Sequence, residues 1–261
     1  RERDILICGG KCPQLAKRNE YPGTVLYWDP EQGMLWTTMT RRMFYMGVPE
    51  PLHITPDRMR MFAGVIPLPY AVLFTTISHY NATQLLNLRE RKRRKKFMAY
   101  AQSRIEPHRE RAFDKFVLLA RELGIDDPEA LGGCHGSVIE SAVHGNRFRV
   151  RRYRNAQTFE NYRFVLAMEN TLLRGYITEK ILNAFIAGSI PIFFGTDQVF
   201  DIFNHKAFIF YNASDPNGPE RALEQVRGLE GNVTRLFEML SEPILANGQQ
   251  TLEKYFSLSD D

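Results

Sequence analysis

The sequence predicts an α/β protein whose second half carries a largely parallel sheet, and three observations predict it. Strand-like and helix-like runs alternate from Lys96 to about Leu240, the pattern of a parallel sheet covered by crossover helices. Residues 162–196 read as strand, loop, helix and strand in one stretch, which is a βαβ unit. Ahead of it, Ala112, Phe113, Phe116, Val117 and Ala120 form a helical stripe that stops at Gly124, so a second crossover precedes the first.

The bulk properties set limits on function. The chain has 261 residues, 44% hydrophobic and 25% charged, with a formal net charge of +4. It is long enough for a sizeable core in one or two domains. So small a positive charge suits phosphorylated or acidic ligands without requiring nucleic acid. No run of about 18 or more apolar residues occurs, so no spanning helix is expected. Cys8, Cys12 and Cys134 are an odd set without the repeated spacing of a metal site, and no metal is expected. Sequons begin at Asn81, Asn212 and Asn232 and point to a glycosylated, lumenal protein. The chain opens on Arg1 without a signal-peptide pattern and reads as a processed form or a fragment.

In chain order, residues 4–8 read as a first strand ending at Gly9-Gly10. After the Pro22-Gly23 turn, residues 24–28 read as a second, closed by Asp29-Pro30-Glu31. Residues 34–46 are rich in Met and aromatics without clean periodicity and read as core or interface. Residues 64–70 contain two prolines and read as loop, and 72–77 as a third strand. The basic run 89–96, Arg-Glu-Arg-Lys-Arg-Arg-Lys-Lys, reads as a solvated linker at a domain boundary rather than a nucleic-acid patch. Residues 96–101 form a strand, and the crossover that follows ends near 131–134. Five arginines in 147–154 suit either an anion-facing loop or a solvated surface. In the βαβ unit, 162–168 and 190–194 are the strands. Ile181, Leu182, Phe185 and Ile186 mark the helix, with Gly188 at its stop. Beyond it, 208–211 is a strand, Ala222, Val226 and Leu229 mark a helix, and 236–240 continue an amphipathic pattern into Pro243.

The chemistry concentrates at one end of the βαβ unit, where Glu169, Asn170, Arg174, Tyr176, Thr178, Glu179 and Lys180 follow the first strand. Thr178 suits the N-cap of the next helix, whose unpaired N–H groups and dipole make an anion site. Lys180 stands in the first turn, where the dipole disfavours a cation, and an anionic ligand would account for it. Glu179 could accept from sugar hydroxyls, and Tyr176 could stack or donate. Arg109 and Arg111 open the preceding helix, so Arg109 and Lys180 could clamp a pyrophosphate from two adjacent crossovers. The same residues also read as solvated charges. Motifs of serine hydrolases, zinc proteases, P-loops and dinucleotide-binding folds are missing. Of the six histidines, only His135 is expected near the ligand edge.

Residues 164–171 (FVLAMENT), 175–180 (GYITEK) and 190–195 (IPIFFG) resemble, in order and spacing, the signature of the α-1,3/1,4-fucosyltransferases, glycosyltransferase family 10. Met168 stands where that family usually has Phe. Residues 97–103, the helix carrying Arg109 to Phe116, and Gly132-Gly133-Cys134 are similar to the first segment of the family's donor domain. The resemblance is good from about 96 to 245 and weak before that. It implies two Rossmann-like domains facing a cleft (GT-B-type), the C-terminal one complete and the N-terminal one divergent or truncated. The divisions would be 1–94 on the acceptor side, 95–250 for GDP-fucose and 251–261 as a tail. Donor binding would fall to Arg109, with Arg111 as the fallback, and to Glu169, Asn170, Tyr176, Glu179 and Lys180.

The implied reaction is inverting transfer of L-fucose from GDP-β-L-fucose to O3 or O4 of N-acetylglucosamine or a related sugar. Glu31 would serve as the general base, with Asp29 next and Glu50 third. The scheme requires no cofactor and tolerates a stimulatory cation such as Mn2+. Partners would be GDP-fucose and an oligosaccharide or glycoprotein acceptor, with no nucleic acid, and a membrane only through a tether outside this chain. The expected location is the Golgi lumen, as the soluble part of a single-pass type II membrane protein. The same fold using another nucleotide sugar, and a catalytically silent glycan-binding relative, are the alternatives.

Overall fold

A computed structural model describes residues 5–9, 21–29, 43–47, 57, 60, 62–67, 81–102, 105–131 and 155–256. Two parallel sheets organise them. The first has the order β1-β2-β3-β4, with β1 Ile5–Gly9, β2 Thr24–Asp29, β3 Met43–Gly47 and β4 Gly64–Pro67. Every pairing in it is parallel. Tyr27 and Tyr45 are fully buried in it, their rings 6.4 Å apart.

The second sheet consists of β5 Lys96–Tyr100, β6 Glu129–Ala130, β7 Tyr162–Met168, β8 Ile190–Phe194 and β9 Ile209–Phe210. Its order is β6-β5-β7-β8-β9, again all parallel. The helices are α1 Pro107–Leu123, α2 Asn155–Phe159, α3 Glu179–Ile186, α4 Val199–Ile202, α5 Gly218–Glu230, α6 Val233–Ser241 and α7 Gln249–Phe256.

Both faces of this sheet are covered, which explains why every residue of β7 and β8 is buried and apolar runs replace alternation. Phe164, Leu166 and Met168 pack with Phe113 and Phe116 of α1 and Val226 of α5. On the other face Ala167 and Phe193 pack with Ile181, Leu182 and Phe185 of α3. Pro191 is tolerated because β9 pairs only with Ile192 and Phe193, so the proline lies on the stretch that β9 does not reach. Gly124 ends α1 in the left-handed conformation, φ 66°, which glycine adopts without strain.

The strands and helices expected between Lys96 and Leu240 are present. Residues 64–67 form β4 rather than the loop expected there. Residues 43–47, at the end of the stretch read as core or interface, form β3, in which Tyr45 is buried. Residues 251–256 lie in α7, where Leu252 is buried with Leu85 and Phe185. The strand expected at 72–77 lies outside the described residues, as do 132–154.

The basic run is solvated only in part. Arg89 and Arg94 are buried. Arg89 donates to the Ser189 carbonyl at 3.2 Å and the Met239 carbonyl at 2.7 Å, and its guanidinium lies 5.3 Å from the centre of the Phe185 ring. Arg94 donates to the Ala187 and Glu160 carbonyls. These carbonyls sit at or just beyond the ends of α2, α3 and α6, where helices leave acceptors unsatisfied and cations are favoured. Burial, reinforced by the charge of Arg94, lowers the pKa of Arg89.

Candidate functional site

The chain runs from β5 outward to β6, then returns to the other side of β5 as β7. The carboxyl ends of β5 and β7 are therefore the topological switch point, where open α/β sheets place ligands. Gln102, just past β5, is buried and donates from Nε2 to the Met168 carbonyl at 3.4 Å. Pro107 occupies the first turn of α1, where its missing N–H costs nothing. That turn delivers His108 and Arg109 to one acceptor, the Glu169 carbonyl. The tautomer of His108 with its hydrogen on Nε2 donates at 3.1 Å, and Arg109 Nε donates at 3.2 Å. The His108 ring also packs on Phe194, centroids 4.8 Å apart.

Glu169 follows β7 directly. Its N–H donates to the Phe194 carbonyl at 2.8 Å, extending the β7–β8 pairing by one bond. The chain then turns back through Gly175, φ 75°, where a side chain would be strained, and buries Tyr176, Ile177 and Thr178. The carboxylate of Glu169 is 0% exposed. It accepts from the Thr178 N–H at 2.7 Å, from the Thr178 hydroxyl at 2.8 Å and from Lys180 Nζ at 2.9 Å. Lys180 Nζ also donates to the Thr178 hydroxyl oxygen at 2.9 Å. The packing is close on the β8 side as well. A Cβ at Gly195 would lie 2.5 Å from Phe193 Cζ and 3.2 Å from Glu169 Cγ.

Thr178 is the N-cap of α3, with extended backbone, but makes no side-chain cap bond, because its hydroxyl is committed to Glu169. Lys180 does stand in the first turn of α3. Its position against the dipole is already offset by an internal anion, so the lysine does not by itself require an anionic ligand. Of the two arginines opening α1, Arg109 is buried and Arg111 exposed, which places Arg109 at the switch point. Asn170 and Glu179 are half-buried there, and Tyr176 is buried. The Asn170 Oδ1 and Gln198 Oε1 atoms, just past β7 and β8, are buried without a hydrogen-bond partner among the described residues.

His108 was not expected at this edge; its position one residue before Arg109 was the available signal. Gln198 was missed as well, with only its place after β8 to mark it. Glu31, Glu50 and His135 lie outside the described residues. Asp29 is the last residue of β2. Among the described residues no group of three or more His, Cys, Asp or Glu could hold a metal ion, and no helix is long and apolar enough to cross a membrane. The sequon residues Asn81 and Asn212 accept from the N–H groups of Thr83 and Ser214 at 3.0 and 3.1 Å, while Asn232 caps α6.

Comparison with known proteins gives a consistent result. The family described as Glycosyltransferase family 10 (fucosyltransferase) C-term matches residues 91–239, more than half of the chain. A protein of Acanthamoeba polyphaga mimivirus that carries a fucosyltransferase name is 33% identical over 161 residues, covering 61% of this chain and 26% of that protein. The alpha-(1,3)-fucosyltransferase FucT of Helicobacter pylori is 36% identical over 81 residues, 31% of this chain and 16% of that protein. The chain thus spans about a quarter or less of these relatives. A crystal structure of an alpha1,3-fucosyltransferase with GDP superposes with a TM-score of 0.60 at 17% identity, covering 92% of this chain and 69% of that one. That likeness establishes the shared α/β fold.

Proposed function

The chain belongs to glycosyltransferase family 10, the fucosyltransferases, and from that premise we propose that it transfers L-fucose from GDP-β-L-fucose to O3 or O4 of an N-acetylglucosamine-type acceptor, with inversion. The observation that carries this reading is the convergence of Arg109, Lys180 and the start of α3 on the switch point of a parallel sheet. A nucleoside diphosphate is the anion such a place suits. Arg109, Lys180 and the α3 N-terminus would meet the diphosphate, Glu179 the ribose, and Asn170 and Tyr176 the remaining polar groups of the donor.

In the transfer, the acceptor oxygen forms a bond to the fucose anomeric carbon as the bond to GDP breaks. The acceptor proton passes to a carboxylate, and the electron pair leaves on the diphosphate. The base raises the nucleophilicity of the hydroxyl, and fixed cations at the leaving group stabilise the charge that develops there. Glu31, two positions after β2 in the sequence, is the base in this reading, with Asp29 and Glu50 next.

The reading keeps two units facing a cleft. The acceptor-side unit would be 1–94 and the donor unit 95–250, with Leu85, Arg89 and Arg94 of the first packing against the second sheet. A lumenal location with glycans on Asn81, Asn212 and Asn232 belongs to the same proposal. Incubation with GDP-fucose and a glycan array, read by mass spectrometry, tests it. One added fucose on particular glycans is expected. Transfer from GDP-mannose instead would reassign the donor, and GDP binding without any transfer would leave a silent glycan-binding relative.

A further inference from the structure

We infer that Glu169 is a positioning residue for the donor site, holding the cation that meets the diphosphate rather than touching the donor itself. This rests on the proposed donor reading and deepens it. A ligand would have difficulty reaching the carboxylate, which is 0% exposed and already accepts from Thr178 N, Thr178 Oγ1 and Lys180 Nζ. These bonds lead outward. The Lys180 ammonium has three hydrogens; one is given to Glu169 and one to the Thr178 oxygen, at 2.9 Å each. The third has no partner among the described residues, and the lysine side chain is 20% exposed. A flexible four-carbon side chain is thereby fixed with one donor left over, which lowers the entropy lost when an anion binds.

The same residue reaches the other cation through its backbone, since the Glu169 carbonyl accepts from Arg109 Nε and His108 Nε2. One residue at the end of β7 therefore sets the separation between the cations of two crossovers. The carboxylate also offsets the unfavourable placing of the Lys180 cation at the N-terminal end of the α3 dipole.

GDP affinity of the full chain, measured by titration calorimetry, tests this with Glu169→Gln, Lys180→Met and the double variant. Glu230→Gln serves as a control, because it breaks the buried Arg163–Glu230 pair far along the chain from these residues. The glutamine should weaken GDP binding about tenfold, and it should add little further loss in the Lys180→Met background, because the two residues act as one unit. The Glu230→Gln control should keep wild-type affinity despite lost stability. Binding by Glu169→Gln within about twofold of wild type, or losses that multiply fully in the double variant, overturns the inference. If Glu169→Gln does not fold, Thr178→Val removes the hydroxyl that bridges carboxylate and ammonium, and the same criterion applies. A wild-type chain that binds no GDP overturns the donor reading itself. Intact wild-type binding lost in Lys180→Met but kept in Glu169→Gln overturns the positioning role alone.

Discussion

Glu169 and Lys180, eleven positions apart, form an ion pair of 2.9 Å whose acidic partner has no solvent exposure at all. Such a pair contributes little net stability, but breaking it from one side leaves a buried charge without its partner. Lys180→Met should therefore lower the unfolding free energy by about 3 kcal/mol. The double variant Glu169→Gln with Lys180→Met should lose less than that single change, since neither charge is then stranded. Urea unfolding of the wild type, the two single variants and the double variant measures this. A double variant less stable than both singles would show that the pair does not govern folding here.

The basic run yields a prediction of the opposite kind, because most of its charges are exposed and two are not. Arg89→Ala would strip donors from the carbonyls of Ser189 and Met239 and should cost about 3 kcal/mol. Lys92→Ala and Lys95→Ala, both exposed, should stay within about 0.5 kcal/mol of wild type. Thermal unfolding compares them. Equal effects at all three positions would mean that Arg89 is solvated.

How much of this was legible in the sequence depended on the range of the interactions. The crossovers were legible because apolar periodicity and the stops at Gly124 and Gly188 are local signals. The strands β3 and β4 were not. The Met-rich stretch shows no alternation, and Pro67 closes β4 in a stretch whose two prolines suggested loop. Burial of Arg89 was hidden because its acceptors lie 100 and 150 positions away. At the site, the cluster 169–180 could be singled out from residue types, and Arg109 from its place at a helix start. The inward turn of the Glu169 carboxylate could not, because it depends on Gly175 folding the loop back and on how closely β8 packs behind it at Gly195.

The proposed base makes a kinetic prediction that separates it from the donor site. Glu31→Gln should slow transfer by roughly 10²- to 10⁴-fold, the usual range for a general base, while GDP affinity stays at the wild-type value. Turnover with GDP-fucose and a glycan acceptor, set beside calorimetric GDP binding, reads the two effects separately. Near-normal turnover would move the role to Asp29 or Glu50, whose glutamine or asparagine counterparts are then the ones to assay.

At the opposite edge of the second sheet, the Tyr162 phenol donates to Glu129 Oε2 at 2.6 Å, and Lys96 Nζ lies 3.3 Å from the phenol oxygen. Burial and the neighbouring Glu129 push the phenol up to about 12, the Lys96 ammonium opposing them only in part. Burial also pushes the Glu129 carboxyl upward, but hydrogen bonds from Lys96 and Tyr162 outweigh it and hold the group below its ordinary value. A phenol raised in the folded state keeps its proton there after the unfolded chain has released it. Its contribution to stability is therefore complete below the ordinary value of 10 and disappears as pH rises from 10 to about 12. Tyr162→Phe should lower stability at neutral pH and flatten the alkaline loss over that window. Urea midpoints across the alkaline range measure the slope. The wild-type minus variant phenolate absorbance should show one tyrosine titrating late. A Tyr162 that ionises at the ordinary value of 10 would mean that the bond to Glu129 does not hold in solution.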